Sequence, residues 1–153
     1  MLKVEEKLIR KRIWHKVIAL NENARTVEDV VKFSKGDIAA DEICKTIIII
    51  GKKTGKTAAV LLKGLDRIDF KTAKNIFGEE MAIASPEVVK EVSGVEPGAV
   101  CPFLLTIPLY IDKKVLGLKK INSGSGDHLH GLEYNVEDIE KVVSYKIISI
   151  SKT

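Results

Sequence analysis

Glutamine is absent from the 153 residues, and only two cysteines and four prolines occur. Cys44 and Cys101 make at most one disulfide, which excludes a disulfide-built scaffold, and they offer no zinc spacing. Missing too is any long apolar run. The longest stretch, 99–111, is broken by Pro102, Thr106 and Pro108 and falls short of the roughly 20 residues of a membrane helix. No basic-then-apolar leader opens the chain, so the expectation is a reduced, cytoplasmic protein with no membrane partner. What is present, 45% apolar and 30% charged residues, is the composition of a folded chain. Its length suits a single domain over 1–153 with one core.

The net charge of +4 is unevenly placed. Residues 1–20 carry Lys3, Lys7, Arg10, Lys11, Arg12 and Lys16 against Glu5 and Glu6, and in the remainder bases and acids cancel. Such asymmetry fits a polyanion such as RNA phosphate; a solvated helix face is the plainer alternative.

Along the chain, 2–12 reads as an amphipathic helix with Val4 and Leu8 on one face, and 13–20 as a strand. Asn21 to Arg25 is expected to be a loop, Thr26 to cap a helix through Phe33, and 37–42 to make a helical turn. The β-branched run Ile47–Ile50 predicts a strand buried on both faces, paired as a hairpin with 58–62. Helices are expected over 69–76, closed by Gly78, and from Ser85-Pro86 to Gly94. Beyond them, 104–112 and 119–123 read as strands and 123–131 as a flexible loop. Asn135 is expected to cap a helix over 136–143, with a closing strand at 147–150. The rhythm is not strictly βαβ, so the expected class is mixed α/β, a mixed sheet with helices around it.

Gly51-Lys-Lys-Thr-Gly55-Lys56-Thr57 invites a nucleotide-binding reading. A P-loop needs four residues between its glycines and a helix after them; three stand here, before a strand-like segment. It reads as a hairpin turn. His128 and His130 lack a third convergent metal ligand, so no metal site is expected. No Ser–His–Asp or Cys–His spacing assigns a nucleophile and its base, and Cys101 reads as a small apolar filler. Lys45 opens the Ile strand, where its charge either reaches water or meets an anion. Gly98 to Pro102 is a short bare loop between prolines, able to present backbone amides to a developing oxyanion; a plain connector is the alternative.

Thr26-Val-Glu-Asp, Lys45-Thr46, Gly64-Leu-Asp-Arg67-Ile-Asp69, Ala84-Ser-Pro-Glu87, Ser93-Gly94, Gly98-Ala-Val-Cys-Pro102-Phe103, Leu109-Tyr-Ile-Asp112, Gly124 and Gly131-Leu-Glu133 stand in order along 24–143. With them the chain resembles the YbaK-type aminoacyl-tRNA deacylase domains, including the editing insertion of prolyl-tRNA synthetases and free-standing ProX-type proteins. The resemblance implies a barrel-like mixed β-sheet surrounded by helices and hydrolysis of the ester joining a wrong amino acid to a tRNA 3′ end. It implies aminoacyl-tRNA as partner, with an aminoacyl-tRNA synthetase as a second, and no metal or organic cofactor. It places catalytic roles on Lys45, Gly98 and Glu133, and substrate contacts on Ala99, Val100, Cys101, Pro102, Thr26, Asp112 and Gly124. Cys101 departs from the serine usual before that proline. Which amino acid is removed stays open among Ala, Cys, Ser and others. A non-catalytic module that holds tRNA ends or docks on a synthetase is the competing expectation.

Overall fold

The computed structural model describes residues 1–20, 27–34 and 38–153. The expected 21–25 loop, the Thr26 cap and the start of the 37–42 turn lie outside the described residues.

Helix α1 (Lys3–Arg10) buries Val4 and Leu8 and turns Lys3, Glu6 and Arg10 outward, while Lys7 Nζ donates to Phe103 O (2.8 Å). Strand β1 (His15–Ala19), helix α2 (Val27–Phe33) and a 3₁₀ turn (Ala40–Glu42) follow. Strands β2 (Cys44–Gly51) and β3 (Thr57–Lys63) form the expected antiparallel hairpin, with Ile47 opposite Val60. The turn between them is held by the Glu79 carboxylate, which accepts from Lys53 N–H (2.9 Å), Thr54 N–H (3.0 Å) and Thr54 Oγ1 (2.6 Å). Strand β4 (Arg67–Ile68) leads into α3 (Phe70–Phe77), where the Asp69 carboxylate accepts from the Lys71 and Thr72 amides. Gly78 closes that helix at φ 78°, a conformation that costs glycine nothing. After β5 (Met81–Ile83) comes α4 (Pro86–Ser93), capped by Ser85 Oγ accepting from Val88 N–H and ended at Gly94.

Strands β6 (Leu109–Asp112), β7 (Lys120–Gly124) and β8 (His130–Asn135), helix α5 (Ile139–Val142) and strands β9 (Lys146–Ile148) and β10 (Ser151–Lys152) complete the chain. Here sequence and structure part in three places. The strand expected over 104–112 begins only at Leu109, because Pro102 opens a 3₁₀ turn and Pro108 has no amide to pair. The expected 136–143 helix is a 3₁₀ turn followed by one α-turn. The expected 123–131 loop is shorter, since β8 already starts at His130 and pairs with both β1 and β7.

One sheet runs β5-β2-β3-β6-β9, a second β1-β8-β7, and β10 pairs with β4. Antiparallel pairs mix with the parallel β3/β6 and β6/β9, so the mixed α/β class is as expected. A parallel bridge between Ile43 and Asn122 joins the two large sheets at the start of β2. Alternation along β2 sends Cys44 and Ile48 into the main apolar cluster and Ile49 into a second one with Ala73 of α3. A smaller cluster of Ile18, Leu20, Ile38 and Ile43 fills the space beside the bridge. Strand β5 covers β2 only from Ile49 to Gly51, with Ala84 N–H adding one bond to Ile48 O (2.9 Å). The first half of that β2 edge is therefore left beside an opening.

Candidate functional site

That opening is a cleft of about 980 Å³, within the size range of nucleotide and cofactor sites. One side is Cys44–Ile47 of β2; another is Glu96–Gly98 and Val100 from the loop after α4; a third is Asn122–Gly124 of β7 with His128, His130 and Gly131. Leu20, Val27, Val30, Ile38 and Ile43 give it an aliphatic wall, and Pro86, Glu87 and Lys90 bring up the start of α4.

Lys45 and Gly98 both border this one cleft. Lys45 is half-buried, and burial holds its ammonium below the ordinary lysine value of 10.5, with the Asp66 charge acting weakly in the opposite direction. Among the described residues Lys45 has no ion-pair partner: Asp66 belongs instead to Lys114, at 3.5 Å. Among the described residues the Lys45 charge is thus held at the cleft without an ion-pair partner. Gly98 stands at φ 95°, in the region only glycine enters freely. Behind it Ala99 N–H donates to Glu96 O (3.3 Å), and Ala99 O accepts from Gly126 N–H (2.8 Å). With the Ala99 amide engaged, the loop's N–H donors for a ligand are those of its neighbours.

Of the other residues singled out from sequence, Val100 and Gly124 also border the cleft. Ala99, Cys101 and Pro102 lie buried behind it. Burial pushes the Cys101 thiol up to about 12, and the Cys44 thiol likewise, so neither is a nucleophile at neutral pH. Glu133 is buried in β8 between Lys16 of β1 and Asn122 of β7 and does not itself border the cleft. Asp112 stands elsewhere altogether. Its carboxylate accepts from Ile150 N–H (2.9 Å), Ser151 N–H (3.1 Å), Ser151 Oγ (2.9 Å) and Lys114 N–H (3.3 Å), tying down the C-terminal segment. Thr26 falls outside the described residues.

Sequence reasoning passed over several cleft residues. Asn122 is 2% exposed, and its amide nitrogen and oxygen both lack a hydrogen-bond partner among the described residues. The same holds for the Thr46 hydroxyl. The turn before β8, expected to be flexible, is tied: Ser125 Oγ bonds His130 O (2.7 Å), and Asp127 Oδ1 accepts from Leu129 N–H (2.7 Å). It carries two carboxylate–imidazole contacts, Glu96 to His128 Nε2 (3.9 Å) and Asp127 to His130 Nδ1 (3.5 Å). Among the described residues no three His, Cys, Asp or Glu side chains converge to hold a metal ion. No helix among them is long and apolar enough to cross a membrane.

Residues 21–142 match the model of a family described as the aminoacyl-tRNA editing domain. Curated relatives include the proline–tRNA ligase of Caldicellulosiruptor saccharolyticus, 30% identical over 118 residues that cover 76% of this chain and 19% of that protein. The enzyme of the same name from Geobacter metallireducens is 30% identical over 114 residues, 73% of this chain and 19% of that one. The chain therefore spans about a fifth of the length of these relatives. A solved structure named hypothetical protein APE2540 superposes with a TM-score of 0.87 at 25% identity, covering 98% of this chain and 99% of that one. A candidate trans-editing enzyme for prolyl tRNA synthetase shares the fold at a TM-score of 0.81 and 21% identity, over 98% of this chain and 95% of that one. By that match across most of its length, this chain belongs to the aminoacyl-tRNA editing domain family.

Proposed function

We propose that the chain is a trans-acting editing hydrolase that cleaves the ester between a wrong amino acid and the 3′ end of a tRNA. The observation that carries this reading is the sharing of one cleft by the Lys45 ammonium and the Gly98 loop. Lys45 holds a phosphate or another polar oxygen of the acceptor end by a point-charge contact. In this reading the backbone N–H groups of Gly98 and Val100, the loop donors left once Ala99 N–H bonds Glu96 O, receive the ester carbonyl. There they stabilise the negative charge that builds on its oxygen as water adds, an effect of about 3–4 kcal/mol per donor.

Water attacks the carbonyl carbon, the tetrahedral adduct collapses, and the tRNA hydroxyl leaves with the proton that the water gives up. The raised pKa of the buried thiols, Cys44 at the cleft and Cys101 behind it, excludes them as bases. The vicinal hydroxyl of the terminal ribose orients the water in this reading, and positioning supplies much of the acceleration. Glu133 acts from beneath the cleft surface through its β7 and β8 neighbours. The exposed bases Lys3, Arg10, Lys11, Arg12 and Lys16 attract the tRNA body from solution.

The test is release of amino acid from a panel of mischarged tRNAs at low protein concentration, with Lys45→Ala beside the wild type. Turnover on at least one member, lowered about 10–100-fold in Lys45→Ala, supports the reading. Protection of the ester without turnover overturns it in favour of a tRNA-holding module.

A further inference from the structure

Two buried cleft side chains, Thr46 and Asn122, have a donor and an acceptor both unused among the described residues, and of these Asn122 carries them on separate atoms side by side. Leaving such groups unpaired costs about 1–3 kcal/mol each, so an orphaned, 2% exposed carboxamide calls for an occupant. Its surroundings narrow the choice. The Ile43–Asn122 bridge sets it against the aliphatic wall. Direct pairing with Glu133, one pleat from the Gly124–Gly131 pair, puts it on the face of β7 against which Ile38 packs at Gly131. The occupant must then present a hydrogen-bond donor and acceptor side by side on a body with flat apolar faces.

We propose that Asn122 reads the adenine base at the tRNA 3′ terminus, pairing through its amide with the exocyclic amine and an adjacent ring nitrogen. This rests on the editing reading above and names the group that docks the substrate. The other pieces of an aminoacyl-adenosine end do not fit the amide as well: phosphate and ester carbonyl only accept, an ammonium only donates, and a ribose hydroxyl does both but through one atom and without a flat apolar face. Adenine offers both in one plane, which is why a carboxamide recognises it bidentately. Its ring faces suit Leu20, Ile38 and Ile43, which border the same cleft. Asn122 is a specificity-determining residue in this assignment and takes no part in bond cleavage.

The experiment compares acylated acceptor-stem RNAs ending in adenosine with ones ending in purine riboside, which lacks only the exocyclic amine. Wild type is expected to lose about 10–100-fold in kcat/KM on purine riboside. Asn122→Leu is expected to lose about as much on adenosine and to show no further loss on the analogue. Asn122→Asp keeps the shape and the acceptor for the amine but turns the donor facing the ring nitrogen into an acceptor, so it is expected to weaken both ends while still favouring adenosine. Equal rates of wild type on both ends overturn the assignment without any variant having to fold. So does an adenosine preference that survives in Asn122→Leu. Titration with the uncharged RNAs separates this from the editing reading. A 10–100-fold affinity preference lost in Asn122→Leu upholds adenine recognition even if no ester is cleaved, and equal affinities of the wild type sink it.

Discussion

Gly124 lies so close to Val100 that no β-carbon fits between them. One built there would stand 2.9 Å from the Ala99 carbonyl carbon and closer still to the Val100 oxygen. The end of β7 is thus the surface against which the Gly98 loop is pressed, and Gly126 N–H reinforces it by holding Ala99 O. Gly124→Ala is expected to push that loop outward, costing about 1–3 kcal/mol of stability as an overpacked site does. Deacylation should fall further than stability does, by roughly 100-fold in kcat/KM, since a displacement near 1 Å is enough to spoil alignment. A thermal melt beside the assay checks this; full activity in a folded Gly124→Ala protein removes the loop from the chemistry.

Lys45 titrates below 10.5 because burial penalises its charge. If its cation grips the substrate, the enzyme-dependent part of kcat/KM is fully present at low pH. It falls as pH rises through the lowered pKa, earlier than an ordinary lysine allows. Lys45→Arg should move that alkaline limb out of range, since arginine keeps its charge, while Lys45→Ala should abolish it along with most of the rate. The uncatalysed ester hydrolysis, which itself rises with pH, is subtracted at each point. An alkaline limb that persists unchanged in Lys45→Ala assigns it to another group.

How far the molecule could be read before folding depends on how local each signal is. Ser85-Pro86 and Gly94 start and stop α4 with atoms within a turn of the helix, so their spacing alone was enough. The Ile47–Ile50 run announced a strand buried on both faces, and Ile49 and Ile48 do enter different clusters. Strand β8 went unseen. Only Leu132 and Tyr134 face its core side, while Gly131 and Glu133 occupy the other, and its partner β1 is distant in sequence. Lys45 could be singled out as a charge at the mouth of an apolar strand, but that position alone equally suits an edge lysine, and its role in the site comes from the resemblance. Asn122 could not be, because its burial at the cleft and its unpaired amide are features of the folded chain. Asp112 misled for the opposite reason: its motif position is compatible with a ligand or a structural tie, and its partners, Ile150 and Ser151, are far along the chain.

Asp112 is 1% exposed and accepts four hydrogen bonds, three from the C-terminal segment and one from Lys114. Asp112→Ala leaves the Ile150 and Ser151 amides unpaired and is expected to cost about 2–4 kcal/mol. Denaturant unfolding should show it as a lower midpoint. Well below that midpoint kcat/KM should stay near wild type. A loss of activity without a loss of stability would put Asp112 back among the groups that touch substrate.

Trp14 and Lys120 extend the face that carries Asn122. Direct pairing sets Lys16, Glu133 and Asn122 in one row across β1, β8 and β7, and Lys120 lies opposite Asn135, two residues further on the same face. Lys120 Nζ stands 5.6 Å from the ring centroid of Trp14, which is 48% exposed. A strand of RNA leaving the cleft along this face would meet an aromatic surface flanked by cations, the combination that holds single-stranded nucleic acid. Lys16→Ala and Lys120→Ala should each weaken tRNA binding and flatten the plot of log affinity against log salt by about 0.7–0.9 for every phosphate no longer neutralised. Trp14→Ala should weaken binding by about 1–3 kcal/mol with little change in that slope, because stacking releases no counterions. Slopes that stay at the wild-type value in both lysine variants would move the RNA track to another face, with the bases of α1 the next to be replaced.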